Sequence, residues 1–231
     1  VTGALLLAFG AVAVTGGTLA YFTDTDAAEN TMTLGNVDIK QHEEERDLVN
    51  GGLKDFIQNK KLVPAVYDEE KLTKDSSVAF PNGEQIELWD KTINNELDKI
   101  VSVTNVGTED AYVRTILAFE TNTVYKEGTS DLYGTGDAHW EYINVNGDFE
   151  YLKDGEKFVT IEIDDVKYVL AVKVYDDAIS TDERTAPSLK QVFMAPTANN
   201  EVMSLFGSEY TILALSQAVQ AQGFEADAEK G

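Results

Sequence analysis

Period-two alternation of apolar and polar residues runs through most of the chain and predicts strands. Met32 and Leu34 alternate with threonines, and Val37 and Ile39 flank Asp38, so Thr31 to Ile39 reads as a strand. Its phase slips at Gly35-Asn36, which predicts a bulge or kink. Ile100 to Thr104 and Ala111 to Glu120 follow, joined by the glycine-containing turn Asn105 to Asp110. The second of these is apolar on both faces: Val113, Leu117 and Phe119 on one, Tyr112, Ile116 and Ala118 on the other. Such a strand belongs in the middle of a packed sheet.

The middle of the chain reads as a meander of hairpins. Trp140 to Val145 precedes Asn146-Gly147, a type I′ turn signal. Phe149 to Leu152 precedes Asp154-Gly155, and Phe158 to Ile163 turns at Asp164-Asp165 into Val166 to Tyr175. Lys190 to Ala195 and Tyr210 to Val219 complete the pattern, with a helical turn expected within Thr197 to Phe206. Residues 41–98 read differently. The run Gln41-His42-Glu43-Glu44-Glu45-Arg46-Asp47 is charged, and Leu53, Phe56 and Ile57 follow Gly51-Gly52 at helical spacing. A short exposed helix or an irregular excursion is expected there, with one short strand at Gln85 to Trp89. Many short strands and few helices predict an all-β antiparallel sandwich with long loops.

The N-terminus breaks this pattern. Residues 1–20 contain no charged side chain, and the apolar stretch Ala4 to Val14 has the length of a signal-peptide core. It is too short for a confident membrane span. Thr18 and Ala20 flank Leu19 as an A-x-A-like cleavage signal, so cutting after Ala20 would make Tyr21 the new N-terminus. Neither an initiator Met nor a basic region precedes the stretch, so the chain is expected to start inside its leader as an apolar helix. The expected division is a leader at 1–20 and one domain at 21–231, in which 41–98 is the excursion.

Charge and composition narrow the functions. The chain has 231 residues, with 41 acidic against 18 basic side chains, a formal charge of −23. That surface repels nucleic acid and anionic headgroups. The absence of cysteine excludes disulfides, thiol catalysis and cysteine-bound metals. The only histidines are His42 and His139. His42-Glu43 begins like H-E-x-x-H, but Arg46 stands where the second histidine belongs. No nucleophile elbow, phosphate loop or dinucleotide fingerprint occurs. The acidic pairs Asp24/Asp26, Asp164/Asp165 and Asp176/Asp177 lack the D-x-D-x-D-G calcium pattern. No catalytic or metal-ligating residue is therefore assigned; calcium in an acidic loop is the one cofactor left open.

The leader junction Gly16-Gly17-Thr18-Leu19-Ala20-Tyr21-Phe22-Thr23-Asp24, followed by Asn30-Thr31-Met32-Thr33-Leu34-Gly35-Asn36-Val37-Asp38-Ile39, resembles the N-terminus of the TasA/camelysin (CalY-like) family. Val103 to Arg114 and Leu213 to Phe224 are similar to further motifs of that family. The resemblance implies a jelly-roll sandwich and export through a SipW-type signal peptidase from a Gram-positive cell. It also implies assembly with other copies, or other matrix proteins, into biofilm-matrix fibres. In that scheme Tyr21, Phe22, Thr23, Asp24, Thr25 and Asp26 begin a donor strand that completes the sheet of the next subunit. The metalloprotease label attached to camelysin is not carried over, because H-E-x-x-H is absent. A surface protease and a monomeric adhesin are the alternatives.

Overall fold

The computed structural model describes residues 37–58, 60, 76–81, 83–88, 97–121, 143–194 and 210–221. All described elements are β-strands, every pairing is antiparallel, and no helix occurs among the described residues. The expected leader at 1–20, Trp140 and the helical turn expected within Thr197 to Phe206 lie outside them, as do residues 31–36 of the first expected strand.

The first sheet joins β1 (Ile39–Arg46), β2 (Leu53–Asp55), β5 (Leu97–Asn105), β7 (Ile143–Gly147) and β13 (Leu189–Met194) in the order β2-β1-β5-β13-β7. The second runs β11-β12-β6-β14, from β6 (Ala111–Thr121), β11 (Thr160–Ile163), β12 (Val166–Val174) and β14 (Ile212–Gln220). β6 covers one edge of β12 from Lys167 to Val174. The short β8 (Glu150–Tyr151) therefore continues β11 along the other edge, opposite Ala171 and Val172. β9 (Lys153–Asp154) and β10 (Lys157–Phe158) form a small hairpin between them.

Strand alternation sends one face of each sheet into a shared interior. Val101, Leu189 and Val192 of the first sheet meet Leu117, Phe119, Ala171 and Ile212 of the second. A third layer lies outside the first sheet. There the hairpin of β3 (Ser76–Ala79) and β4 (Gln85–Leu88) packs Val78, Phe80, Ile86 and Leu88 on Ile100. The second sheet is apolar on its far side too, where Ile116, Ala118, Leu170 and Leu215 are buried. Of the two apolar faces expected for residues 111–120, Val113, Leu117 and Phe119 on one and Ile116 and Ala118 on the other are buried, while Tyr112 is half-buried.

Three expectations change. The helical spacing of Leu53, Phe56 and Ile57 gives no helix, since Leu53–Asp55 is strand β2 and its partner is β1. The charged run 41–47 is neither helix nor irregular: through Arg46 it is strand β1. Polar residues occupy both of its faces, so alternation leaves no hydrophobic trace, and ion pairs bury Glu45 and Arg46. Asn146-Gly147 is not a hairpin turn. Both residues belong to β7, paired with Gln191 and Leu189 of β13. Beyond them Asp148 and Phe149 carry the chain across to the second sheet, so the expected meander is split between sheets. By contrast Asp164-Asp165 does turn β11 into β12, both at positive φ (50° and 65°), as a type I′ turn requires. Gly155, at φ 64°, turns β9 into β10.

Gly147 is required for close approach, not for a left-handed backbone. A Cβ there would lie 2.6 Å from the Ser188 carbonyl oxygen and 2.6 Å from the Phe149 ring. That carbonyl already accepts the Asp148 N–H at 2.9 Å, so it is held in place. Gly147→Ala is expected to cost about 1–3 kcal/mol by overpacking. A lowered urea midpoint at unchanged slope would register it.

Candidate functional site: an open strand edge

Among the described residues β14 pairs with β6 alone, across all nine of its residues. The Glu120 N–H donates to Thr211 O and the Ala221 N–H to Asp110 O, so odd-numbered residues of this strand face β6. The N–H and C=O groups of Ile212, Ala214, Ser216 and Ala218 therefore point away from the sheet. β1 has a matching edge. β2 pairs only with Glu44, Glu45 and Arg46, while β5 takes the other side of Ile39 to Glu44. The Phe56 N–H donates to Glu43 O, so odd-numbered residues of β1 point away from β5. Ile39 and Gln41 thus present backbone groups on the open side.

The two open edges approach within 8 Å, Cα to Cα. One side chain spans them. Gln41 Nε2 donates to Ala214 O at 3.3 Å, and Ser216 Oγ donates to Gln41 Oε1 at 2.7 Å. A primary amide here occupies a strand edge much as a backbone amide would. The same Nε2 donates to Glu43 Oε1 at 3.2 Å, and Glu43 in turn pairs with Lys99. Thr115 Oγ1 lies 3.1 Å from Ser216 Oγ. The mouth of the sandwich between β1 and β14 is thus lined by polar side chains, whereas the interior beyond it is apolar.

The opposite face of β1 is also polar and well paired. Arg184 ion-pairs with Glu44, donates to Ser102 Oγ at 2.8 and 2.6 Å, and stacks on Phe80 at 4.3 Å. His42 Nε2 lies 2.9 Å from Thr104 Oγ1. Burial, then the Arg184 and Lys40 charges, push its pKa down to about 4, against a smaller opposing pull from Asp55. The fold therefore prefers neutral His42, while the unfolded chain protonates near 6.5. Stability from this residue is complete above pH 6.5 and is lost as pH falls toward 4. A urea midpoint followed over that range should fall further for the native chain than for His42→Gln, which removes the titration.

The residues of the broken H-E-x-x-H run are engaged in contacts of the fold. His42 Nε2 is engaged with Thr104 Oγ1, and Arg46, in the place of a second zinc histidine, is committed to Asp98 at 2.7 Å. No group of three or more His, Asp or Glu side chains able to hold a metal occurs among the described residues. Asp164 and Asp165 are turn residues and Asp176 and Asp177 are exposed. The expected cleavage residues Ala20 and Tyr21, the donor candidates Phe22, Thr23, Asp24, Thr25 and Asp26, and His139 lie outside the described residues. Gln41 and Ser216 were not legible as site residues, because neither sits in a recognisable motif and only the packing of β1 beside β14 joins them.

No family profile, curated protein or solved structure matches this chain.

Proposed function

We propose that this chain is an exported structural subunit of an extracellular matrix, which polymerises when a strand from one copy is added to the open edges of the next. The observation that carries this reading is the pair of facing edges, Ile39 to Gln41 and Ile212 to Ala218, along which no further strand pairs among the described residues. A long unpaired edge invites strand addition, and proteins that stay monomeric usually blunt it. In strand addition, backbone hydrogen bonds supply affinity and side-chain pockets fix register. Adjacent strands lie about 4.8 Å apart, so a strand bonded to both edges needs roughly 10 Å between them. Insertion thus requires the Gln41 bridge to open.

The sequence supplies the rest of the reading. The donor is the segment beginning Tyr21-Phe22-Thr23-Asp24-Thr25-Asp26, freed when a signal peptidase cuts after Ala20. Its alternation of Tyr and Thr with Phe and Asp suits a strand with two different faces. The proposed architecture is a jelly roll preceded by a leader helix, and the proposed location is the cell surface or matrix of a Gram-positive bacterium. Partners are other copies of the chain or other matrix proteins. Electron microscopy tests the reading. Mature protein beginning at Tyr21 should form filaments, and a chain lacking Tyr21 to Asn30 should form none. Filaments unchanged by the deletion would sink it.

A further inference from the structure

A group of charges sits where β1 and β2 leave the sheet, on the same face of β1 as Gln41. Glu43 pairs with Lys99, whose side chain is 2% exposed. Glu45 is 3% exposed and meets two lysines. Lys54 Nζ lies 3.3 Å from its Oε1, and Lys60 Nζ lies against its Oε2. Oε2 accepts no hydrogen bond, although it is buried. The Phe56 ring lies beside both inner amines, 4.8 Å from Lys60 Nζ and 4.7 Å from Lys99 Nζ. The Lys60 side chain is itself only 19% exposed. A carboxylate and an amine thus meet in a largely dry, aromatic-walled site, with a second cation on the far carboxylate oxygen.

We propose that Glu45 Cδ and Lys60 Nζ join in an isopeptide bond. Desolvation disfavours both charged forms, so one proton passes from the Lys60 ammonium to the Glu45 carboxylate. The freed nitrogen lone pair attacks Cδ, and the charge that develops on Oε1 is stabilised by the Lys54 ammonium. A second proton passes from the nitrogen to Oε2. The Cδ–Oε2 bond breaks and Oε2 leaves as water. An ammonium and a carboxylate become one amide and one water, with no oxidant or activating group required. Holding the two partners in contact supplies the proximity that the same reaction lacks in solution. The bond would close residues 45 to 60 into a covalent ring around the β1–β2 turn. In a chain without cysteine it would take the place of a disulfide staple.

Intact mass spectrometry of the purified, folded chain tests this without reference to polymerisation. With its termini established, the chain should weigh one water, about 18 Da, less than its sequence requires. Digestion should release a branched peptide joining the segments around Glu45 and Lys60. Lys60→Arg and Glu45→Ala should each abolish the branched peptide, and Lys60→Arg should restore the full sequence mass. A folded native chain of full mass overturns the proposal. So does a deficit that survives Lys60→Arg, since that would place the lost water elsewhere, as in an aspartyl succinimide.

Discussion

Replacing Asp98 with alanine should destabilise the fold by about 3–5 kcal/mol, the cost of leaving a buried ion without its partner. Asp98 is fully buried, and its carboxylate accepts hydrogen bonds from both Arg46 and Gln191. Arg46 Nε reaches Oδ2 at 2.7 Å and Arg46 Nη2 reaches Oδ1 at 2.8 Å, a two-point fork. The Arg46 backbone N–H adds 3.3 Å to Oδ2, and Gln191 Nε2 adds 3.0 Å to Oδ1. The group therefore ties β1, β5 and β13 together. Alanine removes this acceptor from a guanidinium that is 6% exposed. A urea midpoint should record the loss, with the slope unchanged if the unfolded state is unaltered. The companion experiment separates the pair's net worth from the damage of halving it. Arg46→Met with Asp98→Leu removes both charges, and buried pairs so replaced often match or exceed the parent in stability. The double variant should recover most of the loss. A double variant as unstable as Asp98→Ala would mean that the backbone and Gln191 contacts, not the ion pair, hold this corner.

The same corner shows why the fold was only partly legible in the sequence. Strands with an apolar face announced themselves: β5, β6, β12, β13 and β14 were all expected within a few residues of their observed limits. β1 was not, because its burial is achieved with charge. Gln41, Glu43 and Glu45 on one face and His42, Glu44 and Arg46 on the other offer no alternation of hydrophobicity to read. Glu44 finds its partner in Arg184 and Arg46 in Asp98, on segments distant in sequence, while Glu45 pairs with Lys54 and Lys60 beyond the next turn. The misread at Asn146-Gly147 has a different cause. The dipeptide is a turn signal when glycine is needed for its dihedral freedom. Here glycine is needed because Ser188 and Phe149 leave no room for a Cβ, and local sequence cannot separate the two demands. The Asp164-Asp165 turn was legible because the requirement there is local to the turn itself.

The candidate site was legible only at one end. The leader and the segment after it suggested a strand to be donated, through a resemblance and not through pattern. The open edge follows from strand order: among the described residues β14 is last in its sheet and β2 covers only the end of β1. Order within a sheet is a property of the whole chain, so no window of residues encodes it. Gln41 was read as part of a solvated charge run, yet it is the side chain that spans the two edges.

Phe119→Ala should cost about 3–5 kcal/mol, the usual range for emptying a buried aromatic site. Phe119 is 1% exposed and lies between the sheets, in the cluster that includes Val101, Leu189 and Ile212. Its ring stands 5.3 Å from Phe149 and 6.0 Å from Tyr151, and those two are 5.4 Å apart at 78°. Tyr151 continues to Phe158 at 5.7 Å. The rings follow the chain as it crosses from β7 to β8, so Phe119 anchors that crossing to the central strand of the second sheet. Tyr151 offers a local readout. Burial pushes its phenol up to about 12 from an ordinary value of 10, so the fold holds it neutral while the unfolded chain ionises. Its contribution to stability is whole below pH 10 and is lost as pH rises toward 12. The cavity left by Phe119→Ala would admit water beside it and bring its titration back toward 10. The absorbance difference between each parent and its Tyr151→Phe partner isolates that one phenol among the ten tyrosines of the chain. Phe119→Leu, which keeps most of the volume, should lose less stability and shift the phenol less. If Phe119→Ala lost stability while Tyr151 still titrated near 12, the aromatic cluster would have collapsed onto the vacancy, and the crossing would be more pliant than its packing implies.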